Sequence, residues 1–111
     1  MVEIRIFRDS RDRLSSFFAT GHAGWAEHGQ DVVCAAISTA LQSAWLGLSE
    51  VASVPVAADK ADGTLRLSWP EDVRDDPAVR AIVTTAARTV EVIAGQYPEV
   101  ARVIHAKETT P

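Results

Sequence analysis

Cysteine is nearly missing from this chain: Cys34 is the only one in 111 residues, so no internal disulfide can form. That usage suits a reducing compartment, and we expect a cytoplasmic protein. Basic charge is also short. Eleven Lys and Arg stand against 15 Asp and Glu, a formal net charge of −4, which offers no broad basic surface for nucleic acid and mildly favours a basic protein partner. Low-complexity segments, internal repeats and linkers are absent. The opening Val2-Glu3-Ile4-Arg5 lacks the long apolar core of a signal peptide. No unbroken apolar run approaches the ~20 residues of a membrane span, so neither membrane nor nucleic acid is expected as a partner.

What is present is the composition of an ordinary globule, 47% hydrophobic and 23% charged. The length suits one domain, 1–111, able to bury about two-thirds of its unfolded surface. Val2, Ile4 and Ile6 alternate against Glu3 and Arg5, which predicts a half-buried strand, and the polar cluster from Arg8 to Arg13 predicts a turn. A second strand is predicted over 14–19, delivering His22 at or just past its end, where Gly21 and Gly24 loosen the backbone. Residues 25–30 read as a loop. Segments 54–58 and 64–69 read as strands around a turn at 59–63, with Pro55 marking an edge position.

Two helices follow from three- and four-residue apolar spacing. The first starts at Asp31 and buries Val33, Ile37, Ala40, Leu41, Ala44 and Leu48. The second is capped by Asp76, carries Pro77 at its first position and closes around Gly95 and Pro98. Its stripe is Val79, Ile82, Val83, Ala86, Val90, Ile93 and Tyr97, and Glu71, Asp72, Asp75 and Asp76 form a solvated acidic entrance. A last strand covers 100–105. The fold class is therefore α+β, a mixed sheet of about five short strands with two amphipathic helices packed on it.

If Asp31 is the N-cap, Cys34 is the third helical residue, where unpaired amides and the helix dipole favour an anion. A thiol ionises near pKa ~8.5, and lower at a helix N-terminus or beside an imidazolium, so Cys34 is a candidate nucleophile with His22 its candidate base. Ser38 lies one turn further on the same side, able to reach toward the sulfur or to bond back to the Cys34 carbonyl. The same amides suit an oxyanion, although an Asp31 carboxylate on the Cys34 N–H would occupy one of them.

The run Gly21-His22-Ala23-Gly24, followed after six residues by Asp31-Val32-Val33-Cys34-Ala35-Ala36-Ile37-Ser38, resembles the ribosomal-processing cysteine protease family, called Prp. The resemblance implies that His22 and Cys34 are a catalytic pair. It further implies a small cytoplasmic endopeptidase, commonly a homodimer, that removes an N-terminal extension from a large-subunit ribosomal protein. No cofactor or metal is called for. Asp31 and Ser38 are supporting residues, and Asp31, Ser38 or a backbone carbonyl is open as the group that orients His22. Gly21, Ala23, Gly24 and Trp25 are placed against substrate, with 25–30 as a lid and a sheet edge offering strand-like pairing to an extended peptide.

Two other readings compete. His22, His28, Cys34 and Asp31 make a weak metal pattern, since structural zinc sites use ligand pairs two to four residues apart. The other is a noncatalytic ribosome-associated binding module. His105 reads as a surface or strand-end residue, Trp45 as core, and Trp69 separates none of these ideas.

Overall fold

An inner strand, β1 (Val2–Arg8), is hydrogen-bonded on both sides, antiparallel to β2 (Leu14–Thr20) and parallel to β5 (Ala101–Lys107). The computed structural model describes residues 1–21 and 30–108, and of Gln30 and Asp31 the backbone alone. Between those strands come helix α1 (Gln30–Leu46), the hairpin of β3 (Ala57–Ala61) and β4 (Thr64–Ser68), and helix α2 (Pro77–Gln96). The sheet order is β3-β4-β2-β1-β5. It is a mixed five-stranded sheet with two helices, the expected α+β class.

Period-two alternation builds one buried face. Val2, Ile4 and Ile6 of β1, Phe17 and Ala19 of β2, Leu65 and Leu67 of β4 and Ala101 of β5 are buried and meet in register, for example Ile6 opposite Phe17 and Phe17 opposite Leu67. The helices complete that core with Val33, Ile37, Ala40, Leu41 and Ala44 from α1 and Leu48 just past its end, every position of the expected stripe. From α2 come Val79, Val83, Ala86, Ala87, Val90 and Ala94. Ile82 and Ile93 are only partly buried and Tyr97 is 44% exposed, so the predicted stripe was rotated too far toward solvent. Ala87 and Ala94 are buried on the other side of that stripe.

Boundaries moved in two places on the way to the site. Helix α1 begins at Gln30, so Asp31 lies within its first turn and is not the N-cap, and Gln30 is helical where a loop was expected. An acid is as favourable inside the first turn as at the cap, because both face the positive end of the dipole, and the sequence pattern does not separate the two. β3 is shifted three residues later than expected, with the turn reduced to Asp62 and Gly63, and Pro55 precedes the strand instead of lying in it. The edge assignment of β3 holds, since β4 is its sole strand neighbour among the described residues.

Past α1 the helix widens over Gly47–Val51, the Ala52 N–H reaching the Gly47 carbonyl at 2.8 Å. A Cβ on Gly47 would stand 3.1 Å from Ile82 Cγ2, which explains glycine where the two helices close on each other. The segment Val32–Val51 is long and apolar enough to cross a membrane by length and composition, a property that a buried core helix shares. It is not an unbroken apolar run, because Ser38, Thr39, Gln42, Ser43, Ser49 and Glu50 interrupt it, and its most apolar stripe is the core contact.

α2 starts as expected: Asp76 Oδ1 accepts from the Ala78 N–H at 2.8 Å and from the Val79 N–H at 3.4 Å, with Pro77 at the first position. The acidic entrance is more than solvated. Glu71 and Asp75 receive Arg13 Nη2 and Nη1 at 3.0 and 2.9 Å, while Asp9, 6% exposed, accepts from Arg13 Nε and Arg74 Nη1, both at 3.0 Å. Burial disfavours the Asp9 charge. The Arg13 and Arg11 amides and the two guanidiniums outweigh it and hold its pKa at about 2, against an ordinary 3.8.

Candidate active site

Cys34 is the fifth residue of α1 and is half-buried. Its N–H therefore belongs to the helical ladder, facing the Gln30 carbonyl four residues back, and the amides without an intrahelical carbonyl are those of Gln30, Asp31 and Val32. This replaces the expected third position and removes the competition between the Asp31 side chain and an oxyanion for the Cys34 amide. Cα–Cβ bonds lean toward a helix N-terminus, so the sulfur is carried back over the first turn.

Helical geometry fixes which way the thiol faces. At about 100° per residue from Val33, Cys34, Ser38 and Trp45 project near 100°, 140° and 120°, whereas Ala36, Ala40 and Ser43 project near 300°, 340° and 280°. The second set lines a groove of about 570 Å³ against Ala81, Ile82 and Thr85 of α2. Since α2 packs on β5, at one end of the sheet, the Cys34 flank of α1 faces the other end, where β4 and β3 lie. Trp45 on that flank is partly buried against the core, as expected.

Ser38 is half-buried one turn beyond Cys34, and its Oγ accepts from Gln42 Nε2 at 2.8 Å. Gly21 follows β2 directly with φ 96°, and its N–H donates to the Gly63 carbonyl at 3.0 Å, which ties the exit of β2 to the β3–β4 turn. The sequence reading did not find that partner, although Asp62-Gly63 is a hairpin dipeptide that could have marked it. His22, Ala23, Gly24, Trp25 and His28, and residues 25–29 of the expected lid, lie outside the described residues, as does the side chain of Asp31. The metal pattern built on His22 and His28 lies there too. His105 is exposed on β5, its Nε2 2.7 Å from Glu91 Oε2 of α2. Trp69 is buried, with Nε1 donating to the Leu14 carbonyl at 2.9 Å and its ring edge-on to Phe17 at 5.1 Å.

A two-layer α+β domain with a lone thiol on one helix flank is the class that fold and site define. Solved structures of the same class superpose over nearly the whole chain. The crystal structure of SMU.848 from Streptococcus mutans matches with TM-score 0.84 and 26% identity, covering 97% of this chain and 96% of that one. The S. aureus ribosomal processing protease Prp in complex with a substrate peptide matches with TM-score 0.84 and 20% identity, covering 95% and 99%. In sequence, the ribosomal processing cysteine protease Prp of Bacillus subtilis is 33% identical over 82 residues, 72% of this chain and 71% of that protein. The family model for the cysteine protease Prp matches residues 1–102. The chain belongs to the cysteine protease Prp family. It is thus a cysteine protease, which sets aside the noncatalytic reading.

Proposed function

We propose that this cysteine protease is an endopeptidase that removes the N-terminal extension of a large-subunit ribosomal protein, with Cys34 as nucleophile and His22 as its base. The observation that supports it most is that the chain's single thiol sits half-buried on a helix flank turned away from the other helix. The name of the 33% identical B. subtilis relative supplies the substrate class.

In the proposed cycle His22 takes the Cys34 proton, and the thiolate attacks the scissile carbonyl carbon. The tetrahedral oxyanion collapses, the C–N bond breaks, and His22 returns the proton to the leaving amine. Water then attacks the thioester, with His22 again as base, and releases the carboxylate and the Cys34 thiol. First-turn amides of α1 are the oxyanion donors in this scheme, and one such donor is worth about 2.7–4 kcal/mol in a serine protease. The same reading has the enzyme acting in the cytoplasm as a homodimer.

The test mixes the purified protein with the extended ribosomal protein of its own source and identifies the new N-terminus by mass. One cut after the extension is expected, lost in Cys34→Ala and in His22→Ala. Cleavage surviving in Cys34→Ala overturns the nucleophile, and an unextended ribosomal protein in that source overturns the substrate. Light scattering of the purified chain should give twice the monomer mass of 12.0 kDa.

A further inference from the structure

We infer that Gln42 is a positioning residue for the Cys34 thiolate, its side-chain amide holding the Ser38 hydroxyl as a donor turned along α1 toward the sulfur. This rests on Cys34 being the nucleophile. Cys34, Ser38 and Gln42 form one row at four-residue spacing on a flank of α1, at about 100°, 140° and 180° from Val33. Cα–Cβ bonds lean toward the helix N-terminus, so Gln42 reaches back over Ser38 and Ser38 back over Cys34. The first of these contacts is made: Gln42 Nε2 donates to Ser38 Oγ at 2.8 Å.

That bond decides what the serine can do. A hydroxyl has one hydrogen and two lone pairs. Thr39, Ser49 and Thr89 spend the hydrogen on the carbonyl four residues back, at 2.7, 2.7 and 2.8 Å, the usual use of such a side chain within a helix. Ser38 is held from the opposite side, through its oxygen, by a donor one turn further on. Its hydrogen then serves an acceptor on the N-terminal side, where Cys34 stands. An oxygen that accepts becomes a better donor, because bonded groups polarise one another. A thiolate gains from such a donor, and a neutral thiol, a weak acceptor, gains little. The one charged residue of α1 is Asp31, an anion, so the donors that side chains of this helix bring to the sulfur are uncharged ones. Ser38 is half-buried and Gln42 exposed, so water competes less for the hydroxyl than for the amide.

The experiment reads the pH profile of iodoacetamide alkylation at Cys34 in the wild type, Ser38→Ala, Gln42→Met and the double variant Ser38→Ala/Gln42→Met. Alanine and methionine are good helix formers, so folding is kept. Loss of a donor to a charged group should move the Ser38→Ala profile up by about one pH unit. Gln42→Met keeps the length and loses the donor, and should move it up by roughly half as much. In the Ser38→Ala background Gln42→Met should add nothing, which separates action through Ser38 from a direct effect. Thr39→Ala, whose hydroxyl serves the Ala35 carbonyl, should leave the profile in place. A profile unmoved by Gln42→Met, or moved equally with and without Ser38, overturns the proposal. An unmoved profile in Ser38→Ala overturns it too, since the hydroxyl then serves the Cys34 carbonyl. Survival of cleavage in Cys34→Ala overturns the underlying nucleophile instead.

Discussion

Asp9 Oδ2 and Arg74 Nη1 meet at 3.0 Å across 65 residues, joining the β1–β2 turn to the segment that leads into α2. Arg74 also donates from Nη2 to the Trp69 carbonyl at 2.8 Å, so one guanidinium ties the end of β4 to that turn.

Acid should therefore release this corner first. The Asp9 pKa is depressed from 3.8 to about 2, so its contribution is complete above about pH 4 and is lost as pH falls through about 2. The amount is on the order of 2 kcal/mol. Urea unfolding as a function of pH should show this slope in the wild type and a flatter one in Asp9→Asn. At neutral pH, Asp9→Ala leaves Arg13 and Arg74, both 12% exposed, without their shared carboxylate, and should cost about 3 kcal/mol.

Trp69→Phe keeps most of the ring but removes the donor to the Leu14 carbonyl, 2.9 Å away and buried. An unsatisfied buried acceptor costs about 1–3 kcal/mol, and Trp69→Ala adds a cavity beside Phe17 for about 3–5 kcal/mol. Thermal unfolding should rank wild type, Phe and Ala in that order.

Gly21→Ala places a side chain on a residue at φ 96°, in a region costing an L-residue about 1–2 kcal/mol. Loss of stability by about that amount is expected, and exchange at the Gly21 amide should speed up as its bond to Gly63 weakens. Equal stability in Gly21→Ala would show that the β2 exit tolerates ordinary backbone angles.

Alkylation of Cys34 should be fast at neutral pH compared with an isolated thiol of pKa ~8.5. The rate profile should shift to higher pH in His22→Ala, because the imidazolium favours the thiolate. Cys34→Ala should unfold within about 0.5 kcal/mol of wild type, since alanine is favoured in helices and the position is not fully buried. A wild-type profile matching a free thiol removes the ion pair.

The sequence made the helices and the core more legible than the turns. The α1 stripe from Val33 to Leu48 and the Asp76 cap were readable because burial repeats every three or four residues and a cap carries its own signature. The β3–β4 register was not, because Ala57, Ala58 and Ala61 are neither β-branched nor clearly alternating, and Pro55 drew the strand too far forward. The Asp9 hub joins residues 65 apart and leaves no local trace. At the candidate site, the spacing put Cys34 and Ser38 one turn apart on one flank of α1, as they are, but their turn of α1 was off by the residues that precede Val33, where acid and amide do not separate cap from first turn.

β1 lies inside the sheet, with β2 on one side and β5 on the other, so Val2 pairs with Ala101 and Arg8 with Lys107. During synthesis β1 must wait until β5 has been made before both its edges are filled. Closing so long a loop is slow relative to forming hairpins. A fragment ending before β5 would leave one edge of β1 open, so the protease fold is complete only once β5 is in place.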